Sequence, residues 1–244
     1  MNNIDLEEKT YTTTRRVFPY FSVGLIVVGA VMLIGGAVFY KTSDAAKSYN
    51  GNIVSVSEDI DLGKTESVEI DVGAGKLEVR TSSDDSIHIE GDVPKNYVIK
   101  ESGGILRVDL TKGWKFDLTN FFNFINGSQK VDAVLYLPAK EYKKLDLEVD
   151  AGELTVSDIK CKEASFDSGA GEITADGISC TGKVKIDIGA GDFNFDGEVN
   201  GDIDVDTGAG DCEIALTNKE EEYNKKYSID TDTGVGDIKI TFDN

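Results

Sequence analysis

One phrase recurs along this chain: IDVGAG at 70–75, EVDAG at 148–152, FDSGAG at 166–171, IDIGAG at 186–191, VDTGAG at 205–210 and TDTGVG at 231–236. Its closing glycines are Gly75, Gly152, Gly171, Gly191, Gly210 and Gly236, and from Gly152 to Gly210 they are spaced by 19, 20 and 19 residues. A fixed period near twenty, with strand-like halves, marks a stack of β-repeats and argues against a single globular core.

Aligning the copies on the closing glycine gives each position a role. Three, five and seven residues before it stand Val72, Ile70 and Val68 in the first copy and Ile188, Ile186 and Val184 in the fourth. Two and four residues after it stand Leu77 and Val79, Leu154 and Val156, Phe193 and Phe195, or Cys212 and Ile214. This period-two alternation on both sides of a glycine predicts strand, bend, strand with one face buried. The preceding residue is Ala74, Ala151, Ala170, Ala190, Ala209 or Val235, expected to sit inside a bend where glycine supplies positive φ.

A lone rung cannot bury its own apolar face, so neighbours must stack. The expected fold is all-β: a single-stranded, β-helix-like solenoid with 19–20-residue rungs and two or three short strands per turn, preceded by one transmembrane helix. The 77 residues from Gly75 to Gly152 have the length of about four further rungs, with strands expected at Ser86–Glu90, Tyr97–Lys100, Ile105–Leu110 and Val131–Leu137. The polar stretch 218–226 reads as a loop bulging from one corner.

Between Thr111 and Lys130 the repeat fails, and the segment carries Trp114, Phe116, Phe121, Phe122 and Phe124. These aromatics either plug the stack, whose open ends need a cap, or form an apolar patch for a partner or the membrane surface.

Residues 17–40 are 24 residues without a charge, long enough to cross the ~30 Å hydrocarbon core at ~1.5 Å per residue. Phe18, Tyr20, Phe39 and Tyr40 flank the run as interfacial aromatics do, and the run exceeds the apolar core of a signal peptide. Lys9, Arg15 and Arg16 precede it and Lys41 and Lys47 follow it, which orients the N-terminus inward. The expected organisation is a cytoplasmic tail (1–16), a transmembrane helix (17–40), a linker (41–52) and an extracytoplasmic β-repeat domain (53–244) in the cell membrane.

The formal charge of −20 lies wholly beyond residue 16, because Asp5, Glu7 and Glu8 balance Lys9, Arg15 and Arg16. Nucleic acid is therefore a poor partner, and cationic peptides, divalent cations or basic envelope proteins are better ones. Four residues before the closing glycine stand Asp71, Glu148, Asp167, Asp187, Asp206 and Asp232; directly after it stand Glu153, Glu172, Asp192, Asp211 and Asp237, with Lys76 in the first copy. Rungs ~4.8 Å apart would line these up as like charges. Turn carboxylates can be offset by backbone N–H donors. The alternative is a row of hard-cation sites for Ca²⁺ drawn from Asp167, Asp187, Asp206, Asp192 and Asp211, although their spacing matches no known calcium loop.

Cys161 and Cys180 each lie nine residues past a closing glycine, hence at equivalent corners, where a disulfide or two free thiols both fit. Cys212 occupies an inward position and reads as a small buried hydrophobe. The lone histidine, His88, points away from the apolar face, and no catalytic set, cofactor fingerprint or metal-ligand cluster can be assembled. The chain reads as a non-enzyme without a required cofactor.

The repeated phrase, with alternating apolar residues, an acid, Gly-Ala-Gly, a further acid and an apolar residue, resembles the bacterial putative-adhesin family of β-strand-repeat proteins of unknown function. A strand ending in Leu137–Pro138 adds to the likeness, which covers roughly Val54 to Phe242. That family includes LiaG-like envelope-stress proteins. The resemblance implies a β-solenoid at the cell surface and no catalytic residues to carry over. The expected function is a membrane-anchored envelope interaction or scaffold module. The alternative is an envelope-stress sensor or decoy whose acidic ladder binds cationic peptides or divalent cations.

Overall fold

The computed structural model describes residues 53–60, 65–111 and 131–243. The expected tail, transmembrane helix and linker lie outside the described residues, as do Trp114, Phe116, Phe121, Phe122 and Phe124. No helix among the described residues is long and apolar enough to cross a membrane.

The described chain is all-β, a single sheet system of 15 strands. From Glu141 onward it follows the sequence period. β7 (Glu141–Ser157) is followed by β8 (Lys160–Ser168), β9 (Glu172–Cys180), β10 (Val184–Ala190), β11 (Phe193–Val199), β12 (Ile203–Ala209), β13 (Cys212–Leu216), β14 (Ile229–Val235) and β15 (Ile238–Phe242). The halves before the glycine stack in parallel as β7, β8, β10, β12 and β14; those after it stack as β7, β9, β11, β13 and β15. The register is the sequence alignment itself, with Leu147 beside Phe166, Ile186 beside Phe166 and Val205, and Thr231 beside Val205.

The inward columns form the core. Ile70, Leu147, Phe166, Ile186 and Val205 are all buried, as are Leu77, Leu154, Ile173, Phe193 and Cys212 across the glycine. Phe166 and Phe193 pack at 5.2 Å between ring centroids, joining the two ladders through the interior.

The glycines are required chiefly by how closely the rungs approach. A Cβ on Gly191 would lie 1.9 Å from the Gly171 carbonyl oxygen, one on Gly210 1.7 Å from that of Gly191, and one on Gly236 1.9 Å from that of Gly210. Positive φ, expected throughout, is found at Gly75, Gly210 and Gly236 but not at Gly152, Gly171 or Gly191. Space is therefore the common requirement and backbone conformation an additional one. The residue before the glycine is inside only where the strand runs unbroken through the corner: Ala74 and Ala151 are buried, whereas Ala170, Ala190, Ala209 and Val235 face outward.

The first copy departs from the expected stack. β2 (Ser67–Ser82) pairs along its length with β7, setting Val68 beside Leu145, Ile70 beside Leu147 and Gly75 beside Gly152. The chain between the two glycines thus does not insert four rungs between β2 and β7. Its strands exist close to where alternation placed them, as β3 (Ile87–Pro94), β4 (Val98–Ser102), β5 (Ile105–Asp109) and β6 (Val131–Pro138). β5 and β6 add in parallel to the far side of β2, one to each half. β4 then pairs antiparallel with β5, β3 antiparallel with β6, and β1 (Ile53–Ile60) antiparallel with β3. Alternation detects a strand but not the direction of its neighbour, which is why the number of strands was legible and their placement was not.

The stretch 218–226 is more than a bulging loop. Glu220–Tyr223 forms one helical turn, and the buried Tyr223 hydroxyl donates to the Gly201 carbonyl at 2.6 Å. Its ring lies 5.4 Å from Tyr227 and 5.5 Å from Phe242, so this segment plugs the interior beneath the last rung. Cys161 and Cys180 are in-register neighbours, buried and unbonded, and Cys212 is buried as expected.

Two outcomes follow for stability. Gly191→Ala forces backbone against backbone and should lower stability by roughly 2–4 kcal/mol in denaturant unfolding. Tyr223→Phe removes one buried hydrogen bond and should cost about 1 kcal/mol, while Tyr223→Ala empties the plug and should cost ~3 kcal/mol or more.

Candidate interaction surface

Outward side chains stand in rows because the inward ones stand in columns. On the face before the glycine, register places Asp109, Asp71, Glu148, Asp167, Asp187, Asp206 and Asp232 in one line across the stack. Asp167, Asp187 and Asp206 are therefore adjacent, as the period predicted, and Asp109 is an addition that the repeat did not reveal. Parallel rungs lie ~4.8 Å apart, and at the dielectric of water each like-charged pair costs roughly 0.9 kcal/mol before salt screening.

Part of that repulsion is offset by cations close to the row: Lys185 stands two positions before Asp187 and acts on Asp167 as well, and Arg107 acts on Asp71. Lys185 reaches Asp187 at 3.3 Å, while Lys144 pairs with Asp146 and Arg107 with Glu69 in the neighbouring outward row. Lys183 bridges to Asp204 at 3.3 Å. These are exposed pairs, worth little individually. Asp206 and Asp232 have no cationic partner among the described residues.

Repulsion is most evident around β2, β7 and β8. The Asp71 carboxyl is pushed above the usual carboxylate range, first by burial and then by Asp109. Glu148 is raised by burial and then by Asp71 and Asp167. Asp167 is raised by burial and by Asp187. Asp150, standing where most copies have the first glycine of the phrase, is raised by burial and by Asp167.

The row after the glycine is organised differently. Asp192 Oδ1 accepts the backbone N–H of Asp211 at 3.2 Å, and Asp211 Oδ1 accepts that of Asp237 at 3.1 Å. Each carboxylate thus caps the corner of the next rung. The turn-type reading of the acids holds for Asp192 and Asp211, with the donor supplied from the adjoining rung. At the other end of this row Lys76 pairs with Glu153 at 2.9 Å. Among the described residues no three His, Cys, Asp or Glu side chains gather into a group suited to a metal ion. Asp167, Asp187, Asp206, Asp192 and Asp211 are strung along two lines and do not converge on a point.

His88 is half-buried, with Nδ1 2.8 Å from an Asp59 carboxylate oxygen on the adjoining strand. It ties β1 to β3, away from both acidic rows.

The two rows predict opposite responses. Asp167→Asn should raise Tm by about 2 °C at pH 7 and low salt, because it removes like-charge repulsion. A folded-state pKa above the unfolded value means that the native form binds the extra proton, so this group's contribution falls as pH rises through that range. The advantage of Asp167→Asn should therefore vanish in acid, below the carboxylate range, and shrink in high salt. Asp192→Ala should instead lower stability by about 1 kcal/mol at either salt concentration, since it strips a backbone N–H of its acceptor.

Stacked parallel rungs, corner glycines and ruled charged faces define an all-β strand-repeat protein. The chain belongs to the Toastrack DUF4097 family, whose profile matches residues 65–244. This agrees with the resemblance to the putative-adhesin family read in the sequence. No curated protein matches the chain.

Solved structures similar to it include a putative cell adhesion protein from Clostridium sporogenes, 13% identical with a TM-score of 0.48, over 79% of this chain and 100% of the other. A putative adhesin from Bacteroides fragilis is 15% identical with a TM-score of 0.37, over 77% and 97%. A putative lipid binding protein from Parabacteroides distasonis is 16% identical with a TM-score of 0.27, over 79% and 95%.

Proposed function

We propose that this chain is a membrane-anchored, envelope-exposed interaction module, a rigid β-solenoid that presents ordered charged faces and performs no catalysis. The observation that carries the reading is the in-register row from Asp109 to Asp232. A stack that holds like charges in line, at a cost, is a surface arranged for display. The uncharged run 17–40 and the Arg15–Arg16 pair support an anchor with the repeat domain outside. The same row favours cationic partners. Among these, a peptide fits a line of carboxylates better than a single metal ion, which needs ligands that converge.

Topology is the first test. Protease added to intact cells producing the full chain should degrade the repeat domain, and the chain should sediment with membranes through high-salt and carbonate washes. Protection of the domain until the cells are permeabilised, or recovery in the soluble fraction, would refute the reading.

A further inference from the structure

We propose that the outer edge of β14 is a docking site for an extended cationic peptide segment, which adds to the stack as one more parallel strand. This rests on the reading of the domain as an interaction module and specifies how and where it binds.

The stack ends unevenly. At one end β5 and β6 are covered by the antiparallel strands β4, β3 and β1. At the other, among the described residues, β14 pairs only with β12 and β15 only with β13. The direction of the ladder fixes which backbone groups are left over. Ala164 N–H donates to Lys183 O, Val184 N–H to Asp202 O and Ile203 N–H to Ser228 O at 3.0 Å, so each inward residue bonds onward to the next rung. Continuing that alternation, Ile229, Thr231 and Thr233 direct their N–H and C=O groups to the open side.

The exposure of the same columns agrees. Ile203, Val205 and Thr207 are 2%, 1% and 1% exposed, because β14 covers them. Ile229, Thr231 and Thr233, their register partners, are only half-buried. The Tyr223 plug fills the interior beside Gly201 and Phe242 but does not pair with this strand.

Charge selects the occupant. The outward positions of β14 are Asp230 and Asp232, with Asp206 behind Asp232 in the row and Asp237 just past the corner. An incoming parallel strand would set alternate side chains beside Asp230 and Asp232, ~4.8 Å away, where lysine or arginine is favoured. The intervening side chains would lie over Ile229, Thr231 and Thr233, where valine or threonine fits. A second copy of this chain is disfavoured, since β14 against β14 juxtaposes Asp230 and Asp232 with like charges, and β1 offers Glu58 and Asp59. The same charges that guard the edge against self-association select a cationic strand.

The corner also limits the length. A Cβ on Gly236 would already lie 1.9 Å from the Gly210 oxygen, so a further rung tolerates only glycine at that point. The docked segment is therefore about five residues long, matched to 229–233, and ends or carries glycine at the corner.

The test uses the full chain in detergent micelles and a fluorescent peptide of alternating lysine and valine, followed by anisotropy and amide hydrogen exchange. The expected result is binding that protects the amides of Ile229, Thr231 and Thr233. The same peptide with its lysine backbone amides N-methylated should bind at least 10-fold more weakly, because in this register it is the lysine N–H groups that donate to β14. So should the lysine–valine peptide to the D230N/D232N variant. T231P removes only an N–H aimed at the open side, a place where an edge strand tolerates proline, so it should leave Tm nearly unchanged yet abolish binding.

Equal binding of both peptides without protection at β14 would overturn the edge site while leaving a charged-face interaction module in place. Absence of peptide binding would overturn the edge site, and the protease experiment on intact cells would still decide the module reading independently. Concentration-dependent protection of the β14 amides without peptide would identify a second copy as the occupant and would also overturn the proposal.

Discussion

Backbone-to-backbone approach at the corner is the constraint on which the rest depends. From Gly152 to Gly236 each closing glycine points its missing side chain at the carbonyl oxygen of the glycine one rung earlier. No other residue fits that space, so the glycines fix the phase of every rung. Once the phase is fixed, columns such as Ile70, Leu147, Phe166, Ile186 and Val205 must superpose, and apolar burial follows. The outward residues have no choice either, and the acids stand in line because the core does.

Like residues in like rows need not do like work. The row before the glycine bears repulsion that cations offset only in part and that burial intensifies around Asp71, Glu148 and Asp167. Asp192 and Asp211, five residues further along their repeats, stabilise the corner through backbone donors of the adjoining rung. The difference is one of geometry: the first row lies on a strand whose N–H groups are committed to the ladder, and the second lies at a bend where they are free to be capped.

Much of this was legible in the sequence, and the failures share a cause. Period-two alternation located the inward residues correctly from Val68 to Ile240, because burial of one face imposes it. It could not show that Gly75 sits beside Gly152 across 77 residues, since alternation carries no information about which strand is the neighbour. The plug was missed because Tyr223 is a single aromatic in a charged run, and nothing local distinguishes it from an exposed loop residue. The acidic rows could be drawn from the repeat alone. That Asp192 and Asp211 cap a neighbouring rung could not, because the donor is set by packing between rungs and not by local sequence.

The pairing of β2 with β7 has a consequence for how the molecule assembles. From β7 to β13 each rung needs a partner only some twenty residues away, so this part can zip together as it forms. β2 must close a loop of 77 residues to reach its register partner on β7, and its other flanks, β5 and β6, are themselves held against it. During synthesis from the N-terminus, β2 and its parallel neighbours β5 and β6 emerge before β7, the template for its other edge. The β7-facing edge of β2 must therefore remain unjoined until the second copy of the phrase has appeared, and during that interval it is open to wrong partners.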